Sequence, residues 1–147
     1  KKSTKSTHSQ YELISLLHAS TKLKKYFKNF DFVFKITAKY KVPDLYRTIE
    51  TYANPGVDLI LQYPHGSTFW HSTFWGFSQA SEIVGFKTNT FQKVIEDIKD
   101  ISKNNDVSLE RALYKYIKQN NSKYIILPRL KNISKYKRNN KSFLKYV

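Results

Sequence analysis

The residues of this chain with the clearest capacity for chemistry are its eleven carboxylates and four histidines, because it contains no cysteine. A carboxylate can hold a metal ion or accept a proton from water, and a cation beside it can stabilise charge on a reacting phosphate. Six of the eleven have a sufficient structural explanation at a predicted helix cap, first helical turn or polar helix face: Glu12, Glu96, Asp97, Asp100, Asp106 and Glu110. Five candidates remain: Asp31, Asp44, Glu50, Asp58 and Glu82.

Glu82 has the least evident structural reason among these five, beyond a position at the start of a helix. It stands in SQASEIVGFK, between an aromatic segment and Lys87. We expect Glu82 to be catalytic, either as a ligand of Mg²⁺ or as the base that accepts a proton from water, with His71 and Lys87 stabilising charge. Asp58, on a predicted strand that faces the aromatic segment, is the expected second metal ligand.

No established catalytic motif accompanies these carboxylates. The chain has no Walker loop, no GxGxxG, HExxH or GxSxG motif and no Cys/His zinc spacing, which excludes the ATPase, Rossmann and zinc-enzyme classes. Gly66-Ser67 follows a predicted strand, as in nucleotidyltransferases, but those enzymes carry a paired acidic motif on the next strand, and here only Glu82 follows. The sequence therefore does not support two-metal nucleotidyl transfer.

Positive charge is concentrated at the two ends of the chain. The net charge is +15, and residues 1–30 carry seven basic and one acidic residue, whereas residues 108–147 carry eleven and one. Such one-signed charge favours a polyanionic partner, because it destabilises a compact protein unless a partner neutralises it. We expect double-stranded DNA as that partner, with these residues in contact with it: Lys87, Arg129, Lys131, Lys135, Lys137, Arg138 and Lys141.

The elements that must position these residues alternate between helical and strand patterns. Four helices are predicted: from a capping box at Ser9 to about 27, over 43–53, from soon after Gly85, and from a cap at Asp106. Strands are predicted at 30–38, where apolar and polar residues alternate, at 57–63 and at 124–127. The pattern predicts one α+β domain with a small, mainly antiparallel sheet of about four strands covered by helices, and a basic tail at 129–147.

The segment STFWHSTFWGF, residues 67–77, is the predicted fourth strand. Its five-residue repeat places aromatic rings on both faces of a strand, which favours a central strand in the core. The alternative is an exposed platform on which an unpaired base stacks.

The whole chain resembles the small nucleases of Acidianus filamentous viruses, which are crenarchaeal lipothrixviruses, in length and in its richness in Lys, Tyr, Asn and Ile. The resemblance implies an α+β fold remotely like that of nucleotidyltransferases and activity on linear double-stranded DNA. It also implies one essential glutamate, which we match to Glu82 in SEIVGF.

We therefore expect a DNA-binding nuclease that hydrolyses phosphodiester bonds of linear double-stranded DNA with Glu82. A non-catalytic DNA-binding or packaging protein of a virus explains the charge equally well. A peripheral membrane protein is the third possibility, but the apolar face of the tail is narrow. No apolar run approaches the length of a membrane span, and the segment KKSTKSTHSQ lacks the apolar region of a signal peptide. We therefore expect the protein in the cytoplasm of the host cell. No protein partner is evident from the sequence.

Overall fold

A computed structural model describes residues 5–27, 29–37, 40–62, 81–127, 134–135 and 143–144. The helices in these ranges are α1 (Lys5–Lys22), α2 (Lys24–Phe27), α3 (Leu45–Tyr52), α4 (Phe91–Asn105) and α5 (Leu109–Asn120). The strands are β1 (Phe32–Ile36), β2 (Tyr40–Lys41), β3 (Leu59–Leu61), β4 (Ile83–Lys87), β5 (Tyr124–Ile126), β6 (Ser134–Lys135) and β7 (Phe143–Leu144). The predicted α+β class and single small domain are confirmed.

The main sheet has four strands in the order β1-β4-β3-β5. Strand β4 pairs antiparallel with both β1 and β3, whereas β5 pairs parallel with β3. The sheet is therefore mixed, and the expected mainly antiparallel arrangement is only approximately correct. A second, small antiparallel sheet joins β2, β6 and β7, so that parts of the basic tail pair with the segment after β1.

Strand β4 corrects the predicted element order. The sequence predicts a helix soon after Gly85, but Ile83–Lys87 forms a central strand and α4 begins only at Phe91. Apolar side chains occupy both faces of this strand, so IVGFK lacks the alternation that marks a half-buried strand. The predicted strand at 67–77 lies outside the described residues.

Helices cover both faces of the main sheet. Helices α1, α4 and α5 enclose one hydrophobic cluster with Leu59, Leu61, Val84 and Phe86, and α3 closes a smaller cluster on the opposite face. Strand β1 takes part in both: Phe32 and Phe34 pack on the α3 side, and Val33 packs on the other. An alternating pattern such as that of 30–38 predicts a strand with one buried face, but side chains on both faces of β1 pack against the core.

Two helix starts also differ from the prediction. Helix α1 begins at Lys5, so Ser9 and Glu12 lie within it and do not form a cap. Helix α5 begins after Ser108, while Asp106 ends α4 with a left-handed φ of 47°. Glu12 and Asp106 therefore do not have the structural roles that the sequence suggests for them.

Candidate functional site

The two predicted metal ligands lie at opposite ends of the β3–β4 pair. Leu59 pairs with Phe86, which places Asp58 beside Lys87, whereas Glu82 precedes β4 at its other end. Glu82 and Lys87 are five residue steps apart along extended chain, a distance of about 17 Å at about 3.4 Å per step. One ion cannot contact both carboxylates, so Asp58 and Glu82 do not form the expected joint metal site.

Asp58 holds the start of β5 in place. Its Oδ2 atom accepts a hydrogen bond from the backbone N–H of Lys123 at 3.0 Å, and its own N–H donates to the Lys123 carbonyl at 2.8 Å. This exchange aligns the parallel β3–β5 pair at the point where α5 returns to the sheet. The carboxylate of Asp58 thus has a structural role.

Lys87 is separated from Glu82 by the same length of strand. Its Nζ atom donates to the Pro55 carbonyl at 2.7 Å, at the Asp58 end of the sheet. Lys87 therefore cannot stabilise charge at Glu82, as the sequence suggests, although it remains available to an anionic ligand elsewhere.

At the Glu82 end, a buried lysine links three elements. The Nζ atom of Lys35 forms an ion pair with Glu12 of α1 at 2.5 Å, donates to Thr37 Oγ1 at 3.1 Å and donates to the Ser81 carbonyl. The side chain of Lys35 is only 9% exposed, against 36% for Glu12. Because an ammonium has three N–H donors, these contacts satisfy all of them.

Ser81 extends this network to α5. Its hydroxyl donates to Glu110 Oε1 at 2.9 Å, and the next residue, Glu82, accepts a backbone hydrogen bond from Thr37 at 2.8 Å. Glu82 is half-buried. The arrangement brings Glu12, Glu82 and Glu110 to the end of the sheet where Lys35 also lies. Within the described ranges, however, no group of three or more His, Cys, Asp or Glu residues is placed to hold a metal ion.

Sequence reasoning missed this network for a physical reason. Lys35 falls on the polar positions of an alternating strand, and such a residue is normally solvated. Glu12 and Glu110 each had a local explanation at a helix start. Only the packing of α1 and α5 against β1 and Ser81 reveals that they are partners of buried groups.

Gln62 and Ser81, the described residues on either side of the aromatic segment, lie at the same end of the sheet. Gln62 Oε1 accepts a hydrogen bond from the Ile83 N–H at 2.8 Å. His71 and the aromatic repeat belong to that segment and lie outside the described residues.

Most of the predicted tail contacts also lie outside the described residues: Arg129, Lys131, Lys137, Arg138 and Lys141. Lys135 lies in β6, where it pairs with Tyr40 of β2.

No protein-family model and no curated protein matches this sequence. None of the helices in the described ranges combines the length and the apolar character that a membrane-spanning helix requires.

Proposed function

We propose that the protein binds double-stranded DNA through its basic ends. The observation that carries this proposal is the distribution of charge: seven basic residues in 1–30 and eleven in 108–147, with one acidic residue in each range. In the described part of the N-terminal range, Lys22, Lys24 and Lys25 are exposed on consecutive turns of α1 and α2. Lysines so placed neutralise phosphates and release counterions, which supplies affinity without sequence preference.

The salt dependence of binding tests this proposal. Each phosphate contact contributes about 0.9 to the slope of log affinity against log salt concentration on duplex DNA. Deletion of 129–147 removes seven basic residues, so we expect lower affinity and a smaller slope against salt concentration. Fluorescence anisotropy with a labelled duplex measures both. The control is Lys103→Gln. Lys103 is exposed and lies in residues 31–107, which hold eight basic and nine acidic residues. An unchanged slope after deletion would show that the tail makes no phosphate contacts.

Cleavage of linear double-stranded DNA is the second proposed activity, with Glu82 as the catalytic carboxylate. It is favoured by the position of Glu82, which lies at the end of the sheet where the buried Lys35 also lies. Glu82 is the half-buried carboxylate that borders the segment containing His71. As a general base it would accept a proton from the water that attacks the phosphate, and His71 would stabilise the charge that develops.

The expected Mg²⁺ does not fit the residues proposed for it. Asp58 lies at the opposite end of the strand pair and already accepts from Lys123. The proposed cleavage therefore does not use Asp58 or a metal that Asp58 shares with Glu82.

Comparison of linear and circular duplexes with Glu82→Gln tests cleavage. This variant keeps the size of the side chain and removes its charge, so we expect strand cleavage to be lost while duplex binding is retained. Asp100→Asn on the exposed face of α4 is the control and should cleave like the parent. If the parent leaves linear DNA intact with and without Mg²⁺, the non-catalytic binding protein is the correct alternative. If folded Glu82→Gln cleaves normally, the catalytic assignment is wrong.

A further inference from the structure

A groove of about 590 Å³ opens at the end of the main sheet away from Glu82. Its walls come from the end of α1, from α2, from the turn before β1, from the end of β4 with its connection to α4, and from the first turns of α4. They include Lys24, Phe27, Phe30, Lys87, Thr88 and Lys93. The volume lies within the range of about 300–1,000 Å³ that is typical of ligand sites.

Phe30 gives this groove an exposed aromatic ring. The alternating pattern of β1 predicts Phe30 as an inward residue, but the strand begins only at Phe32, and Phe30 is 65% exposed. The other two rings of the groove pack together instead: Phe27 meets Phe91 edge to face at 5.9 Å. A backbone hydrogen bond of 3.0 Å from the Phe30 N–H to the Phe27 carbonyl fixes the turn that presents the exposed ring.

The charged and polar lining is mixed. Lys24, Lys87 and Lys93 line the groove together with the carboxylates Asp31 and Glu96 and with polar Asn89 and Gln92. Lys93 is paired with Asp97 at 3.4 Å. The Nζ atom of Lys87 donates one of its three N–H groups to the Pro55 carbonyl, so two N–H groups remain for a ligand. Lys22 and Lys25 are exposed beside Lys24. A ligand with a neutral, flat, hydrogen-bonding part and adjacent negative charge matches this lining better than a purely apolar or purely anionic one.

We propose that the groove holds one unpaired nucleotide of a DNA strand, with the base stacked on Phe30 and the flanking phosphates near Lys24 and Lys87. Every base has a face that can stack on an aromatic ring, and lysines beside the ring follow the backbone. This inference rests on the proposed DNA binding and assigns it a single-strand component that the basic ends alone do not provide.

Thr88 supplies a further polar group at this site. Its hydroxyl oxygen is the one buried side-chain nitrogen or oxygen atom in the described ranges that lacks a hydrogen-bond partner. Thr88 lines the groove, and a base edge or phosphate bound there would give this hydroxyl a partner.

Anisotropy with three probes tests the proposal: a short oligothymidine, a blunt duplex, and the same duplex with a single-stranded overhang. Phe30→Ala should weaken binding of the oligothymidine and of the overhang duplex by about 5- to 150-fold, the effect of losing one base–aromatic stack, and leave the blunt duplex unchanged. Tyr46→Ala removes a ring that is 71% exposed on α3 and is the matched control.

The outcomes separate this inference from the proposed function. Blunt-duplex binding without a selective effect of Phe30→Ala would overturn the nucleotide site and leave DNA binding intact, whereas a parent that binds none of the probes would overturn both. Thymidine monophosphate should compete poorly, because it lacks the flanking phosphates; competition equal to that of the oligothymidine would overturn the assignment to a strand.

Thr88→Val should raise the melting temperature and weaken oligothymidine binding, whereas unchanged binding would remove Thr88 from the site.

Discussion

The Glu12–Lys35 ion pair supports an asymmetric prediction about stability. Glu12→Gln keeps the shape of the side chain but leaves a nine-tenths buried ammonium without its counter-charge. Breaking a fully buried pair in this way costs about 3–5 kcal/mol. Because Glu12 is 36% exposed, solvent already shares in neutralising the pair, and we expect a loss of about 2–3 kcal/mol in the free energy of unfolding.

Removal of the other partner should cost less. Lys35→Met leaves Glu12 near solvent and deprives the Ser81 carbonyl of a donor, an effect of about 1–2 kcal/mol. The double variant Glu12→Gln/Lys35→Met leaves no unpaired buried charge, so it should be more stable than Glu12→Gln alone. Urea unfolding followed by far-ultraviolet circular dichroism measures each difference from the midpoint, provided that the slope is unchanged.

An exposed pair on α4 provides the control for this comparison. Lys93 and Asp97 lie 3.4 Å apart with side chains 78% and 33% exposed, so Lys93→Met should change stability by less than about 0.5 kcal/mol. The reasoning is refuted if Lys35→Met costs as much as Glu12→Gln, or if the two changes are additive in the double variant.

Two further substitutions test contacts in the sheet. Gly85→Ala would place a Cβ atom 2.6 Å from Phe34 Cε1 on the neighbouring strand, so we expect a loss of about 1–3 kcal/mol in urea unfolding, whereas Gly56→Ala in an exposed turn should have little effect. Asp58→Ala leaves the Lys123 N–H without its acceptor and should cost about 1 kcal/mol, with DNA cleavage unaffected; lost cleavage in a folded variant would restore Asp58 as a candidate ligand.

The elements that the sequence predicted correctly are those whose pattern is local. In α4 the apolar residues recur at helical spacing, and Phe91, Val94, Ile95 and Ile98 are all buried. Strand β1 was recognisable from its alternation of period two. In both cases, one repeated pattern in a single stretch of chain carries the information.

Strand β4 and the buried network could not be predicted in this way. The strand is five residues long, apolar on both faces and interrupted by Gly85, so it resembles the start of a helix as much as a strand. The Lys35 network depends on contacts of Lys35 with residues 23 and 46 positions away in the chain, and no local pattern records such pairing. No local pattern records the exposure of Phe30 either, because it depends on the β1–β4 pairing beginning only at Phe32.

The two proposed sites together predict where a cut would fall. Lys87 lines the groove, and Glu82 lies five residue steps away along the strand, a distance of about 17 Å. At about 3.4 Å per nucleotide of one strand in duplex DNA, this distance corresponds to about five nucleotides. A nucleotide held against Phe30 therefore cannot itself reach Glu82. We expect an end-labelled duplex with an overhang to be cut about five or more nucleotides from the held position. Products mapped on a sequencing gel measure this offset, and Phe30→Ala should spread the cut positions. A cut at the overhang nucleotide itself would show that the groove and Glu82 do not act on the same strand as proposed.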